Sequence, residues 1–234
     1  MARVAKDKKK TAGAAAPVAE EYHRPRLYLV TPRKIDPAAF LPALEAALGA
    51  GDVAAVLIHC ETSGETELQQ IAEALTPPVQ ARGAAVVLAG DSRIVGRAKA
   101  DGIHIAEGRE ALADAVDRLQ RQGFIVGAGN LKTRHEAMEA GEAGADYVFF
   151  GMLDKPEAAE IHDKTVALGE WWAAMFEPAA VVLSGADIAS VTDAARTGAD
   201  FIALRAAVWD HPDGPAAAVA AAERLIDEAA AEAR

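Results

Sequence analysis

Short apolar runs alternate with longer amphipathic segments in one repeating order from residue 26 onward. Each run is apolar almost throughout rather than at every second position, which is typical of parallel strands buried on both faces. The sequence therefore predicts eight β-strands, at residues 26–32, 53–59, 84–90, 102–107, 124–129, 147–151, 179–185 and 201–208.

The segments between the runs have the periodicity of amphipathic helices, and several end at a glycine where a helix C-cap is expected. Eight strand–helix units in a row predict an α/β protein, a single closed (β/α)8 TIM barrel. An open, doubly wound sheet is the alternative. That fold requires a glycine-rich dinucleotide fingerprint after the first strand, and residues 30–33 (VTPR) do not provide one.

Three triplets, at residues 100–102, 144–146 and 198–200, each combine a glycine with an aspartate between a helix and the next predicted strand. They precede the fourth, sixth and eighth strands. Because glycine ends the helix and the short polar residue turns the chain, we predict that these triplets are turns at the bottom of the barrel.

The chain has 234 residues, about the length of one such barrel, and 51% of them are hydrophobic. No apolar run approaches the ~18 residues that span a bilayer, and the first residues lack the pattern of a secretory signal. We therefore expect a cytoplasmic protein with no membrane partner. Cys60 is the only cysteine, which excludes an internal disulfide and a multi-cysteine metal site.

Charge is distributed unevenly along the chain. The formal net charge is −11, yet the first 25 residues carry six basic and three acidic side chains. We predict a flexible basic tail at residues 1–25 and a barrel domain at residues 26–234. The acidic barrel repels phosphate backbones, so nucleic acid is not expected as a partner.

Reacting groups in such barrels lie at the C-terminal ends of the strands. The residues that follow the predicted strands are therefore the candidates for substrate or phosphate binding: Thr31, His59, Asn130, Gly151, Ser184, Gly185, Ala186, Arg205 and Ala206. Backbone N–H groups of the last two loops suit a phosphate, which points to the turn at residues 184–186. A tight turn with a helix cap explains the same residues equally well.

Asp91 and Glu107 follow neighbouring strands, and two carboxylates there suit Mg²⁺, which prefers oxygen ligands. The alternative for Asp91 is a structural role as the cap of the next helix. His59 and Cys60 are adjacent on a strand and point to opposite faces, so we expect no catalytic pair. His104 lies inside the fourth strand, where a packed, hydrogen-bonded histidine is expected.

Five segments match the motifs of one known family in the same order: LYLVT at residues 27–31, ADGIHI at 100–105, GADYV at 144–148 followed by Gly151, VVLSG at 181–185 and GADFIA at 198–203. On these motifs the chain resembles the thiamine phosphate synthase and thiazole tautomerase family of (β/α)8 barrels. The resemblance implies a transferase of thiamine biosynthesis. Such an enzyme joins hydroxymethylpyrimidine diphosphate to thiazole phosphate and releases pyrophosphate, with Mg²⁺ as cofactor, small phosphorylated substrates as partners and a homodimer as its assembly.

The resemblance also implies roles for residues of this chain. Lys132, with Lys155 or Lys164, supplies cations to the pyrophosphate, while Asp91 and Glu107 hold the metal. The cations that the family places after the second strand and its second metal aspartate after the fourth strand are replaced here. Because each lost charge contact on a transition state costs about 3 kcal/mol, we predict a divergent synthase of weakened activity.

Two alternatives stay open. One is a non-catalytic barrel that binds a phosphorylated thiamine precursor or another phosphate ester. The other is a tautomerase or isomerase that uses Lys132 as its acid–base group.

Overall fold

The computed structural model describes residues 24–62 and 64–232 of the chain. Its parallel strands are β1 Arg26–Val30, β2 Val53–Ile58, β3 Ala85–Ala89, β4 Gly102–Ile105, β5 Ile125–Ala128, β6 Tyr147–Phe150, β7 Ala179–Leu183 and β8 Phe201–Leu204. They form a closed barrel in sequence order, and β1 pairs with β8 to close it. The predicted (β/α)8 barrel is confirmed.

Helices surround the strands at α1 Pro37–Leu48, α2 Glu65–Gln80, α3 Ser92–Arg97, α4 Arg109–Leu119, α5 Arg134–Glu142, α6 Asp163–Ala173, α7 Val191–Arg196, α8 Ala206–Trp209 and α9 Pro215–Glu232. All eight strands lie within the predicted runs. The largest difference is at the eighth run, which is predicted to continue to residue 208. The chain leaves the sheet after Leu204 and forms α8 instead.

Most of the predicted tail, residues 1–23, lies outside the described residues, and its flexibility stays a prediction. Arg24, the next residue along the chain, forms ion pairs with two carboxylates of α9. Its guanidinium lies 2.7 Å from Asp227 and 2.5 Å from Glu223. Among the described residues, no helix combines the length and the apolar character needed to cross a membrane.

The strands bury both of their faces, as the continuous apolar runs predict. Side chains at alternate positions, such as Tyr28 on β1, Leu57 on β2 and Phe149 on β6, pack together inside the barrel. The positions between them, such as Leu29 and Val56, face the helices in the outer core. The polar chemistry is therefore left to the ends of the barrel.

The aspartates of the three predicted turns hold neighbouring strands together at the bottom of the barrel. The Asp101 carboxylate accepts the backbone N–H of Val86 on β3 at 2.7 Å. Asp146 accepts the N–H of Val126 on β5 at 2.8 Å, and Asp200 accepts that of Ala180 on β7 at 2.7 Å. Each turn thus binds the strand that precedes it, which is a structural role.

We expect Asp200→Ala to lower the free energy of unfolding by about 1–3 kcal/mol, because the partly buried N–H of Ala180 loses its acceptor. Asp200→Asn keeps one side-chain oxygen and is the control, with a smaller loss. Urea denaturation of the three proteins measures the difference. An unchanged midpoint for Asp200→Ala would contradict the proposed strand contact.

Candidate functional site

Several of the predicted site residues lie around one cavity at the C-terminal ends of the strands. This cavity, termed the lysine cavity, has a volume of about 510 Å³, and its lining includes Lys132, Gly151, Lys155, Lys164, Ser184 and Gly185. A second, termed the histidine cavity, has a volume of about 330 Å³, and its lining includes His59, His104, Glu107 and Asn130. The barrel therefore brings together residues that are far apart in sequence.

The lysines of the lysine cavity come from two strand–helix connections, the one after β5 and the one after β6. Lys132 follows β5, Lys155 lies in the loop after β6, and Lys164 lies in the first turn of α6. The start of α6 is fixed because His162 Nδ1 accepts the backbone N–H of Lys164 at 3.1 Å. Three ammonium groups around one cavity favour an anionic ligand.

The turn at residues 184–187 has its backbone donors bound within the protein. Gly185 N–H donates to Ser190 Oγ at 2.9 Å. Ala186 N–H donates to Ala158 O at 2.7 Å, and the N–H of Asp187 donates to a neighbouring carbonyl at 2.9 Å. The Asp187 carboxylate also caps the helical turn that follows. The turn thus has the helix-cap arrangement, and the N–H groups of Ala186 and Asp187 bind the loop that follows β6.

Arg205 and the N–H of Ala206 are also occupied, in this case by a carboxylate of the same loop. Arg205 Nε donates to Glu157 Oε1, and Ala206 N–H donates to Glu157 Oε2 at 3.1 Å. The remaining guanidinium nitrogens donate to the carbonyl oxygens of Leu153 at 2.7 Å and of Lys155 at 3.1 Å. Arg205 therefore fixes the loop after β6.

Asp91 caps α3, accepting the Arg93 N–H at 2.9 Å, and both of its carboxylate oxygens lie 3.0 Å from Arg93 Nε. The hydrogen bonds from the Arg93 guanidinium lower the pKa of Asp91 to about 2. Glu107 Oε2 accepts the N–H of Ala106 at 2.9 Å. In residues 24–62 and 64–232 no group of three or more His, Cys, Asp or Glu side chains is placed to hold a metal. Because a cation already engages Asp91, the two carboxylates as placed do not fit Mg²⁺.

His104 is packed and hydrogen-bonded inside the barrel, as predicted, and is 3% exposed. Its Nδ1 lies 2.9 Å from Tyr147 Oη, which in turn lies 2.9 Å from Tyr28 Oη. Burial lowers the pKa of His104 to about 3, so the imidazole is neutral at neutral pH.

The direction of these hydrogen bonds favours one tautomer of His104. If Tyr28 donates to Tyr147 and Tyr147 donates to Nδ1, both hydroxyl protons have an acceptor. In the reverse direction the Tyr28 proton has no acceptor among the described residues, which costs about 1–3 kcal/mol for a buried donor. When Nδ1 accepts from Tyr147, the proton of the neutral ring lies on Nε2, the nitrogen next to Gly129, where a Cβ atom would be only 2.1 Å away.

Thr31 fixes the backbone of His59 at the histidine cavity, because its buried Oγ1 accepts the His59 N–H at 3.0 Å. His59 Nδ1 is buried and has no hydrogen-bond partner in the described part of the chain. Burial, together with the positive charge of Arg205, lowers the pKa of His59. Asn130 has a left-handed backbone (φ 57°), and its side chain donates to Ala106 O at 3.3 Å, which joins the ends of β4 and β5.

Sequence reasoning missed Tyr28, Tyr147 and Glu157. The two tyrosines occupy inward positions of their strands, and strand alternation identifies such positions once the barrel is predicted. Glu157 has no comparable signal, because it lies in an irregular loop and its partner Arg205 is 48 residues away in sequence.

The buried imidazole makes stability depend on pH. Its pKa of about 3 in the folded protein lies below the ordinary value of 6.5, so the unfolded chain binds more protons between these values and stability falls as the pH drops below 6.5. We expect the free energy of unfolding of the wild type to fall about 1.4 kcal/mol per pH unit more steeply than that of His104→Asn, whose amide keeps a partner for Tyr147. Urea denaturation as a function of pH measures both slopes. Equal slopes would contradict a neutral, buried His104.

Comparison with known proteins confirms the family expected from the motifs. The family model described as thiamine monophosphate synthase matches residues 27–208. The thiamine-phosphate synthase of Rhodospirillum centenum is 40% identical over 204 residues, which cover 86% of this chain and 97% of that protein. The thiamine-phosphate synthase of Hyphomonas neptunium is 36% identical over 214 residues, which cover 88% of this chain and 96% of that protein.

A solved structure with the same fold is the thiamine phosphate pyrophosphorylase from Pyrococcus furiosus. It superimposes with a TM-score of 0.72 at 21% identity, over 89% of this chain and 98% of that chain. The family match and the two bacterial relatives cover most of the barrel. The chain therefore belongs to the thiamine monophosphate synthase family.

Proposed function

We propose that the protein is a thiamine phosphate synthase, which joins hydroxymethylpyrimidine diphosphate to thiazole phosphate and releases pyrophosphate. The names of the relatives support this reaction over a tautomerase or a non-catalytic barrel. The observation that carries the proposal is the convergence of Lys132, Lys155 and Lys164 on one cavity, from the connections that follow β5 and β6. A diphosphate is the most highly charged group in the reaction, and several cations in one place suit it.

The chemistry explains why cations are needed there. The bond between the methylene carbon of the pyrimidine and a diphosphate oxygen breaks, and the electron pair leaves with the diphosphate. The thiazole nitrogen gives its own pair to the methylene carbon and forms the new C–N bond. Negative charge grows on the leaving group as its bond breaks, so ammonium groups held around it stabilise the transition state more than the bound substrate.

We assign the candidate residues that line the two cavities to substrate binding. His59 and Asn130 line the histidine cavity, where the Nε2–H of His104 offers a neutral donor. Thr31 acts through the backbone of His59. Gly151, Ser184 and Gly185 form part of the wall of the lysine cavity and give it room for phosphorylated substrates.

Magnesium use stays a prediction for this chain. The oxygens of Asp91 bind Arg93, and Glu107 binds the backbone of Ala106, so no step of the reaction is assigned to a metal here. The cytoplasmic location and the homodimer also stay predictions.

We expect the wild type to release pyrophosphate from the two substrates together and from neither alone. A coupled assay with Mg²⁺ and a parallel assay in EDTA test the reaction and the metal prediction separately. Absence of turnover by folded protein in both assays would contradict the synthase proposal. Binding of thiazole phosphate without turnover would then favour the non-catalytic barrel, while full turnover in EDTA would contradict the prediction of magnesium.

We expect Lys132→Ala to lower kcat for pyrophosphate release by about a hundredfold, because one charge contact to the leaving group is lost. Arg121→Ala is the control: it removes a positive charge at the opposite end of the barrel, from a side chain that is 81% exposed, and kcat stays unchanged. Initial rates at saturating substrate measure both variants. Equal kcat values for Lys132→Ala and the wild type would exclude the proposed role of this lysine.

A further inference from the structure

Glu157 and Arg205 form an ion pair inside the mouth of the barrel, with side chains 5% and 7% exposed. A carboxylate buried to this extent is stable only with its charge and lone pairs satisfied. Glu157 meets this condition, because one oxygen binds Arg205 Nε and the other accepts the N–H of Ala206 at 3.1 Å. A guanidinium beside a backbone N–H is also the kind of donor pair that binds a phosphate.

The two residues after Glu157 bind the backbone N–H groups of the turn that follows β7. The carbonyl oxygen of Ala158 accepts the N–H of Ala186 at 2.7 Å, and that of Ala159 accepts the N–H of Asp187 at 2.9 Å. Gly185 allows this close approach, since a Cβ atom there would lie 2.1 Å from Ala159 O. We term residues 157–159 the inner segment. It binds the donors at the ends of β7 and β8 that a phosphate of a substrate would need.

We propose that Glu157 is a specificity-determining residue whose carboxylate takes the place of a substrate phosphate at the ends of β7 and β8. This inference rests on the proposed synthase function, since it concerns where a phosphorylated substrate places its anion. The diphosphate binds instead at Lys132, Lys155 and Lys164, which line the same cavity as Glu157.

Electrostatics supports the binding of a phosphate at the three lysines rather than at the ends of β7 and β8. The charge of Arg205 is already neutralised by Glu157, and a phosphate brought beside a buried carboxylate meets like charge at low dielectric. The three lysines, by contrast, have no ion pair among the described residues. Because no carboxylate of the described residues pairs directly with these ammonium groups, an anion is drawn to them.

Removing the Glu157 carboxylate is expected to move phosphate binding to Arg205, because the guanidinium is then buried without a counterion. We expect Glu157→Ala to bind inorganic phosphate at least about tenfold more tightly than the wild type, with the new binding reported by the amide of Ala206. Titration with inorganic phosphate, followed by amide NMR of Ala206 and Ala186 and by ³¹P line broadening, measures affinity and place together. In the wild type these two amides are unaffected by phosphate.

Two variants serve as controls. Glu160→Ala removes an exposed carboxylate from the wall of the same cavity, so it tests whether loss of any negative charge is enough. We expect no new binding at Ala206 in this variant. The double variant Glu157→Ala with Arg205→Ala removes the guanidinium as well, and the gained phosphate affinity disappears.

Several results would overturn the inference. One is phosphate binding at the Ala206 amide of the wild type with the affinity of Glu157→Ala. Another is a gain in Glu160→Ala equal to that in Glu157→Ala. If Glu157→Ala unfolds in plain buffer, phosphate has to restore its melting transition, and failure to do so would also contradict the inference.

The phosphate titration and the synthase assay test different claims. Absence of turnover by the wild type would contradict the proposed synthase function, and the titration would still show whether Glu157 excludes phosphate from the ends of β7 and β8. Phosphate binding at the Ala206 amide of a wild type that also has synthase activity would contradict the inference about Glu157 and leave the synthase proposal standing.

Discussion

The hydrogen bonds between β1 and β8 close the sheet into a ring, and every site described above depends on that closure. Strand ends that are distant in sequence surround one opening only because the ring is complete. Lys132 and Ser184 share a cavity for this reason. The apolar positions of the strands fill the space inside and outside the ring, so the loops at its mouth are left to carry charge.

Two of the ion pairs at the mouth differ in character. The side chains of Arg93 and Asp91 are 65% and 33% exposed, and ion pairs that water reaches contribute little to stability. Arg205 and Glu157 are buried, and separating them would leave a charge without compensation. The first pair is thus an adjustable contact at the surface, whereas the second fixes the loop after β6.

Much of the fold follows from the sequence because its signals are local. Continuous apolar runs mark strands buried on both faces, and the aspartate–glycine triplets mark the turns below them. The interior position of His104 follows from its isoleucine neighbours in the same way. The candidate site is less predictable. The family resemblance predicts Asp91 as a metal ligand, whereas in the structure both of its carboxylate oxygens accept hydrogen bonds from Arg93. Glu157 and Arg205 meet only through the tertiary fold, so no short pattern reveals them.

The three aspartate contacts at the bottom of the barrel also bear on how the chain reaches this structure. Each one joins residues only 15 or 20 positions apart, one strand–helix–strand unit at a time. Contacts of such short sequence separation cost little loop entropy, so they form early in folding. We therefore expect the barrel to assemble from three βαβ units, β3–β4, β5–β6 and β7–β8, each held by its own aspartate contact. The pairing of β1 with β8 is then the late, slow step of folding.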